Sequence, residues 1–284
     1  MNSIIDISYL VSAICFMYGL KMLSHPRTAR NGNFISSFGM LIAIIATVGL
    51  GSGSISWFMI GIALIIGSII GASFAIKVEM TQMPQLVAIF NGFGGGASAL
   101  VACAEFGNGN ETFTTVAIAL SIIIGTLTFT GSFIAFGKLQ GFISGQPITF
   151  SGQQPLNALL ALVLIASTVL MIMGGQYMMI AFYLLIALAA LLGIFLVIPI
   201  GGADMPVVIS MLNSYSGWAA AGIGFTLENT ALIITGALVG SSGAILSYIM
   251  CKGMNRSFFN VILGGFGATD DTTNNIEKKP VKSG

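Results

Sequence analysis

Polar side chains recur inside apolar stretches of this chain, where amide and hydroxyl groups could orient water or relay a proton. Asn91 and Asn213 matter most, because an amide in an apolar medium is costly unless it finds a partner or water. Small and polar residues surround both at helical spacing, which equally suits close helix packing in lipid. We favour packing for the last of four such stripes and keep both interpretations for the asparagines. The stripes contain Asn91, Gly95, Ser98 and Ala102; Ser121, Gly125, Thr128 and Ser132; Ser210, Asn213 or Ser214, and Gly217; and Gly236, Gly240, Gly243 and Ser247.

Other kinds of chemistry find little support in the sequence. Cys15, Cys103 and Cys251 are far apart in apolar segments, so they form neither a disulfide framework nor a metal motif. The single histidine, His25, lies among basic residues and is best interpreted as a solvated surface side chain. The glycine-rich run at 92–98 lies inside an apolar segment without a preceding strand, so it is not a nucleotide-binding loop. We therefore predict no metal site and no catalytic residue in this chain.

Asp204 is the only acidic residue between the seventh and eighth apolar segments. It directly precedes Met205 and Pro206, and proline favours the first turn of a helix, so the sequence favours Asp204 as an N-cap. The alternative is a charge that senses whatever docks on this face of the membrane. The basic group from Lys252 to Arg256 is likewise either a membrane anchor or part of a docking surface.

The elements that must position these residues are membrane-spanning helices. Of the 284 residues, 56% are hydrophobic and only 7% are charged, whereas a soluble domain is about 25% charged. The net charge of +1 argues against a nucleic-acid partner, because phosphate binding needs a concentrated basic surface. We predict an all-α integral membrane protein, a polytopic bundle of about nine transmembrane helices, since roughly 20 apolar residues span a bilayer. The predicted spans are 4–21, 33–50, 55–76, 83–103, 113–137, 155–173, 177–198, 206–226 and 230–250.

The distribution of charges supports this count. With nine spans, every Lys and Arg lies on one side of the membrane, in alternate loops or in the C-terminal tail. The positive-inside rule then puts the N-terminus outside and the C-terminus in the cytoplasm. The basic residues are Lys21, Arg27, Arg30, Lys77, Lys138, Lys252, Arg256, Lys278, Lys279 and Lys282, and the other side has Asp6, Glu105, Glu111 and Glu228.

The C-terminal residues 268–284 are polar and charged and show no apolar periodicity. This composition predicts a linker, so the spanning domain would comprise residues 1–267. A linker with nothing after it suggests that the sequence is incomplete at this end.

The sequence contains the motifs KVEMTQMPQLVAIFNGF at 77–93 and TFTGSFIAFGKLQGFIS at 128–144, and two longer ones nearer the C-terminus. These four stretches resemble the beta subunit of proton-translocating nicotinamide nucleotide transhydrogenase. The most specific motifs are IGGADMPVVISMLNSYSGW and ILSYIMCKGMNRSFFN, and the similarity covers essentially the whole chain. The resemblance implies an enzyme of the bacterial inner membrane that reduces NADP⁺ with NADH while one proton passes inward. The matching stretches are 77–93, 128–144, 200–225 and 235–267.

The same resemblance implies the cofactors and partners of the complete enzyme. NAD(H) would bind the alpha subunit, and NADP(H) would bind a C-terminal domain of the beta subunit that this sequence does not include. This chain would then bind neither nucleotide. Its partners would be the lipid bilayer, alpha subunits and the NADP(H)-binding domain, in a dimer of the complete complex.

Residue roles also follow from the resemblance. Ser132 and Asn213 match residues of the family's proton path, and Asn91 stands where many members have a histidine. Asp204 and Arg256 match residues at the interface with the NADP(H) domain. The positions that match a helix proposed to connect the proton path with that domain are Gly236, Gly240, Ser241, Ser242 and Gly243.

The proton path would lack a titrating group of its own. Asn91, Ser132 and Asn213 can orient water, but amides and hydroxyls do not titrate near neutral pH. We therefore hypothesise that a helix of the alpha subunit supplies the titrating side chain near Asn91. Two rival interpretations stay open, a secondary transporter or ion channel subunit with a polar helix seam, and a non-conducting assembly subunit.

Overall fold

The computed structural model describes residues 2–50, 56–107 and 111–262, and within these ranges the chain is helical without any strand. Nine helices have 20 residues or more, and a short tenth follows them. Single 3₁₀ turns at Met80–Gln82 and Gly202–Asp204 precede the fourth and eighth helices. The predicted all-α polytopic fold is confirmed. The helices are α1 (Asn2–Leu23), α2 (Pro26–Leu50), α3 (Trp57–Lys77), α4 (Met83–Ala104), α5 (Thr112–Gln140), α6 (Gln153–Met173), α7 (Met178–Val197), α8 (Met205–Thr226), α9 (Thr230–Gly253) and α10 (Phe258–Ile262).

The predicted spans agree with the long helices to within three residues at every end but one. The exception is α2, which was predicted to start at 33 and begins at Pro26. The apolar run marks where lipid begins, whereas the helix can begin earlier because proline suits its first turn. Residues 51–55 and 108–110, which lie between predicted spans, and the predicted linker at 268–284 lie outside the described residues.

Helix α8 differs from the other long helices in composition. Eight of the nine long helices in the described residues are apolar enough to cross a membrane, and α8 is the exception. It includes several hydroxyl and amide side chains, and it packs against α4, α5 and α9. A polar span is tolerated when its polar groups face other helices rather than lipid. The enclosed position of α8 therefore matches its sequence.

The centre of the bundle is formed by α4, α5 and α8, with α7 and α9 packed against them. Helix α5 has 29 residues, or about 43 Å of helix, and exceeds the hydrocarbon core of about 30 Å. At least one end of an untilted helix of this length extends beyond the hydrocarbon. The main apolar core lies where α5 meets α7 and α8, and it includes Ala135, Val197, Met205, Val208 and Leu212.

The six helices from α4 to α9 alternate in direction, so their loops gather at two ends of the bundle. At one end, Gln85 near the start of α4 contacts the end of α5, and Ser247 near the end of α9 contacts the start of α8. We call this the basic end, because Lys138, Lys252 and Arg256 lie there. The opposite end includes Glu105, Glu111 and Glu228, at the other termini of the same helices.

The N-terminal helices lie at the periphery. Helices α1 and α2 form a tight pair that meets the rest of the described chain mainly through α1 and α9. Ser12 Oγ donates to the carbonyl oxygen of Gly39 at 2.8 Å within this pair. Helix α3 buries none of its residues and contacts α4 through the rings of Phe74 and Phe90. The polar residues of interest are thus concentrated in the helices from α4 to α9.

Candidate functional site

Asn91 lies where α4, α5 and α8 meet, and only 8% of it is exposed. Its Nδ2 atom donates to Ser132 Oγ on α5 at 2.9 Å, and Ser216 Oγ on α8 donates to its Oδ1 atom at 2.9 Å. Both ends of the amide are therefore satisfied by side chains of other helices, which offsets the cost of burying it. We call Asn91, Ser132 and Ser216 the polar junction.

Glycines allow α4 and α5 to approach closely enough for these bonds. A Cβ atom built on Gly92 would lie 3.1 Å from the Cβ atom of Ser132, and one on Gly95 would lie 2.9 Å from the carbonyl oxygen of Gly125. Larger side chains would separate the helices and break the bond between Asn91 and Ser132. In α4, the glycines of the predicted stripe serve packing and the asparagine forms a polar contact.

Asn213 does not join the polar junction by a hydrogen bond. It is half-buried on α8, and its side chain forms no hydrogen bond within the described part of the chain. Ser216, three residues later, makes the contact with Asn91 instead. The sequence interpretation missed Ser216 because it followed the spacing toward Gly217, although residues three apart share a helix face. The predicted trio is therefore only partly brought together.

The glycines of α9 pack directly against α8. A Cβ atom on Gly236 would lie 2.6 Å from the carbonyl oxygen of Gly217, and one on Gly243 would lie 2.9 Å from that of Ser210. Ser210 Oγ donates to the carbonyl oxygen of Gly243 at 3.1 Å, and Ser214 Oγ donates to that of Gly240. These contacts are those that the packing interpretation of the α9 glycines predicts.

The five α9 residues implied by the resemblance lie on two different faces. The three glycines, at 236, 240 and 243, are buried against α8. Ser241 and Ser242 are exposed on another side of the helix, where Ser242 Oγ donates to the carbonyl oxygen of Val239 at 3.0 Å. No single contact surface therefore includes all five.

Asp204 and Arg256 form an ion pair at the basic end. Asp204 Oδ1 lies 3.6 Å from Arg256 Nε, and their side chains are 15% and 58% exposed. Asp204 occupies the N-cap position of α8, but its side chain accepts no capping hydrogen bond there. The predicted cap is therefore wrong. Asp204 Oδ1, the atom that faces Arg256, is buried and has no hydrogen-bond partner among the described residues.

The turn after α9 directs Arg256 toward this position. Asn255 has a left-handed backbone with φ of 53°, a conformation that asparagine tolerates better than most residues. The amide of Arg256 then donates to the carbonyl oxygen of Cys251 at 2.9 Å, as in a common way of ending a helix. The short helix α10 starts at Phe258.

Lys138 is the second functional candidate that the sequence interpretation missed. It was used only as a charge marking one side of the membrane, yet it is 4% exposed and donates to three backbone carbonyls. The available signal was its position in the last turn of a span too long for the bilayer core. Nothing in the sequence named its partners.

The polar junction contains no group that changes charge near neutral pH. Asp, Glu and His are absent from the sequences of α4, α5 and α8, and the only basic residue in them is Lys138. Within the described ranges no three His, Cys, Asp or Glu residues are grouped to hold a metal ion. His25 is exposed at the turn between α1 and α2. The arrangement can orient water and transmit hydrogen bonds, but it includes no group that takes up a proton near neutral pH.

Comparison with known proteins places these observations in a family. Residues 5–283 match the family model described as NAD(P) transhydrogenase beta subunit. The chain is 52% identical over 277 residues to NAD(P) transhydrogenase subunit beta of Rhodospirillum rubrum, covering 94% of this chain and 59% of the relative. The subunit of the same name from a designated strain of that species matches to the same extent. The chain thus spans about three-fifths of the length of these relatives.

Proposed function

The chain belongs to the NAD(P) transhydrogenase beta subunit family, and we propose that it couples inward proton passage to hydride transfer from NADH to NADP⁺. As a multi-pass beta subunit it is part of an oxidoreductase complex. In the proposal, its helices form the proton-translocating domain, and the nucleotides bind other domains of the complex.

The energetics favour such a division of labour. NADH and NADPH have the same reactive ring, so hydride transfer between them is nearly balanced. A proton that crosses about 100 mV contributes roughly 2.3 kcal/mol, or about fifty-fold in the ratio of products. The membrane domain must therefore transmit its protonation state to a distant nucleotide site through a conformational change.

The observation that carries the proposal is the polar junction. Asn91, Ser132 and Ser216 bring an amide and two hydroxyls together where three long helices of the bundle meet, and such groups inside a membrane mark ion or proton paths. Asn213, one helical turn from Ser216 and without a hydrogen bond in the described chain, is available to orient water beside them. The alpha subunit would supply the titrating side chain near Asn91.

Helix α8 is suited to connect the junction with the nucleotide-binding domains. It begins directly after Asp204 and includes Ser216, so about 18 Å of continuous helix separates the two. The ion pair of Asp204 with Arg256 would be the docking contact for the NADP(H) domain. Close packing through Gly236, Gly240 and Gly243 would make α9 move with α8, while the exposed Ser241 and Ser242 would face a neighbour.

The remaining features of the proposal concern the assembly. The basic end would face the cytoplasm, and the N-terminus would lie outside a bacterial inner membrane. Residues 268–284 would lead toward the NADP(H)-binding domain. The partners would be alpha subunits, and the complete complex would be a dimer.

The test is reconstitution of proton-coupled hydride transfer. The chain is co-expressed with an alpha subunit and an NADP(H)-binding domain, and reduction of a thio-NADP analogue by NADH is followed in sealed vesicles with an internal pH dye. We expect the rate to rise with an imposed proton gradient and to lose this response with a protonophore. A secondary transporter or channel would instead move protons or solutes without nucleotides, which would overturn the proposal.

A further inference from the structure

The buried ammonium of Lys138 joins two loops at the basic end. Its Nζ atom donates to the carbonyl oxygens of Gln146, Ile198 and Ile200 at 3.2, 2.5 and 2.7 Å. Gln146 belongs to the loop between α5 and α6, whereas the two isoleucines follow α7. All three donors of the ammonium therefore have acceptors, which is the arrangement a buried lysine requires.

Helix α7 provides an electrostatic reason for this arrangement. Ile198 directly follows α7, so its carbonyl belongs to the negative end of that helix, where a cation is stabilised. The two loops also bond to each other, from the amide of Gly202 to the carbonyl oxygen of Gly145 at 2.7 Å. Lys138 thus holds the loop after α5 against the loop after α7, a contact that we call the joint, and it is the charged group among the neutral backbone groups of that contact.

This joint supports the segment that leads to Asp204. Gly201 follows Ile200, and a single 3₁₀ turn, Gly202–Asp204, then leads into α8, with the amide of Asp204 donating to the carbonyl oxygen of Gly201 at 3.0 Å. The carboxylate itself makes no capping bond to α8 and pairs with Arg256 only at 3.6 Å. Its position therefore depends on the backbone beneath it.

We propose that Lys138 is a positioning residue for Asp204. By holding the loop after α7 against the loop after α5, Lys138 fixes the place and orientation of Asp204 at the docking surface. This inference rests on the proposed function, in which Asp204 transmits the state of the membrane domain to the NADP(H) domain. Removing the ammonium should leave the helices paired but release the segment that includes Asp204.

A matched control distinguishes this role from general stability. Gln153 is also buried and donates from Nε2 to a carbonyl near the end of α7, that of Phe195 at 3.0 Å. Its side chain forms no hydrogen bond with the loop after α5 or with the segment that leads to Asp204; only its backbone amide contacts that loop, at the carbonyl oxygen of Phe150. Lys138→Met and Gln153→Met both remove a buried donor to α7 and install the same side chain, so only the effect on Asp204 should differ.

The first experiment measures the order of the segment without any enzyme assay. A nitroxide is attached to Ala203→Cys, an exposed position next to Asp204, in a full-length chain whose Cys15, Cys103 and Cys251 are replaced by alanine. We expect Lys138→Met to increase the mobility of the label, and Gln153→Met to leave it unchanged. Equal mobility in Lys138→Met and the unmodified chain would overturn the proposal.

The second experiment is a double-mutant cycle in the complete complex, with proton-coupled NADPH formation as the readout. Lys138→Met and Asp204→Asn should each lower the rate about tenfold, and the double variant should fall little further, because both act through one carboxylate. A double variant that shows the product of the two losses would overturn the proposal. So would an unchanged rate in Lys138→Met.

Two further outcomes are distinguishable. If Lys138→Met does not accumulate, Lys138→Arg keeps the charge but moves its donors, and the same dependence on Asp204 must appear. If the unmodified complex shows no proton-coupled transfer, the proposed function fails, whereas the spin-label result still decides whether Lys138 orders the segment.

Discussion

The polar junction and the basic end satisfy their polar groups in opposite ways. At the junction, Asn91, Ser132 and Ser216 are neutral and bond to one another at 2.9 Å. At the basic end, Asp204 and Arg256 carry charge and approach only to 3.6 Å, with one carboxylate oxygen left without a hydrogen bond among the described residues. The hydrogen bonds of the junction are satisfied within it, whereas at the basic end the 58% exposed side chain of Arg256 is accessible to a partner.

The physical cause of the difference is the surrounding medium. Within the hydrocarbon an unpaired charge costs several kcal/mol, so a polar group there must be neutral and matched inside the protein. At the membrane surface water hydrates a charged side chain, so the charge is tolerated without a partner in the protein. The long helix α8 includes both kinds of site, which suits an element that transmits a change between them.

The largest effect should come from breaking the junction. Asn91→Leu removes the amide that joins three helices and leaves Ser132 and Ser216 without their shared partner. We expect proton-coupled NADPH formation to fall on the order of a hundredfold, because the titrating group would lose the amide that positions water beside it. Ser98→Ala is the matched control, because Ser98 lies on the same helix and bonds only to its own backbone at Gly94. Equal rates in the two variants would contradict a role for the junction.

A titratable group placed in the junction should make it able to change charge, as the basic end can and the native junction cannot. Asn91→His should restore about a tenfold gain in proton-coupled rate to a complex whose alpha subunit has lost its titrating membrane residue, because imidazole changes charge near neutral pH. Each membrane histidine and carboxylate of the alpha subunit is replaced in turn to find that residue. If none of them is necessary, the titrating group does not come from the alpha subunit.

Whether the basic end docks a partner through its charges can be tested by neutralising Asp204 and Arg256 one at a time. Asp204→Asn should lower the proton-coupled rate about tenfold, while Arg256→Ala should change stability by less than about 1 kcal/mol, as expected for a long and partly exposed ion pair. Thermal unfolding of the purified chain and vesicle assays of the complex give the two quantities. A silent Asp204→Asn would show that the charge of Asp204 is not needed and would contradict its role in docking.

The smallest expected effect is on stability, and it tests whether Ser216 or Asn213 belongs to the junction. Ser216→Ala leaves the Asn91 Oδ1 atom without its donor, which should cost about 1 kcal/mol of stability. Asn213→Ala removes no hydrogen bond in the described chain, so unfolding should change less, although the proton-coupled rate should fall if Asn213 orients water. Denaturation in detergent compares the two variants. A greater loss of stability in Asn213→Ala would show that Asn213, rather than Ser216, anchors α8.

The sequence alone determined the helices and the family of this protein. A span in lipid satisfies all its backbone hydrogen bonds internally, so each helix is specified by its own residues, and apolar runs located eight of nine starts within three residues. The start of α2 was predicted at residue 33, whereas the helix begins at Pro26, ahead of the apolar run that spans the lipid. The motifs around 200–225 and 235–267 were sufficient to indicate the family.

Only the tertiary structure decided which side chains meet. Whether Asn213 or Ser216 faces Asn91 depends on the rotation of α8, which is set by contacts with residues 125 positions away in sequence. The burial of Lys138 depends on loops that follow α5 and α7, and the uncapped state of Asp204 depends on the turn beneath it. These features follow from packing between distant segments, and a pattern along one helix does not encode how its neighbours are turned.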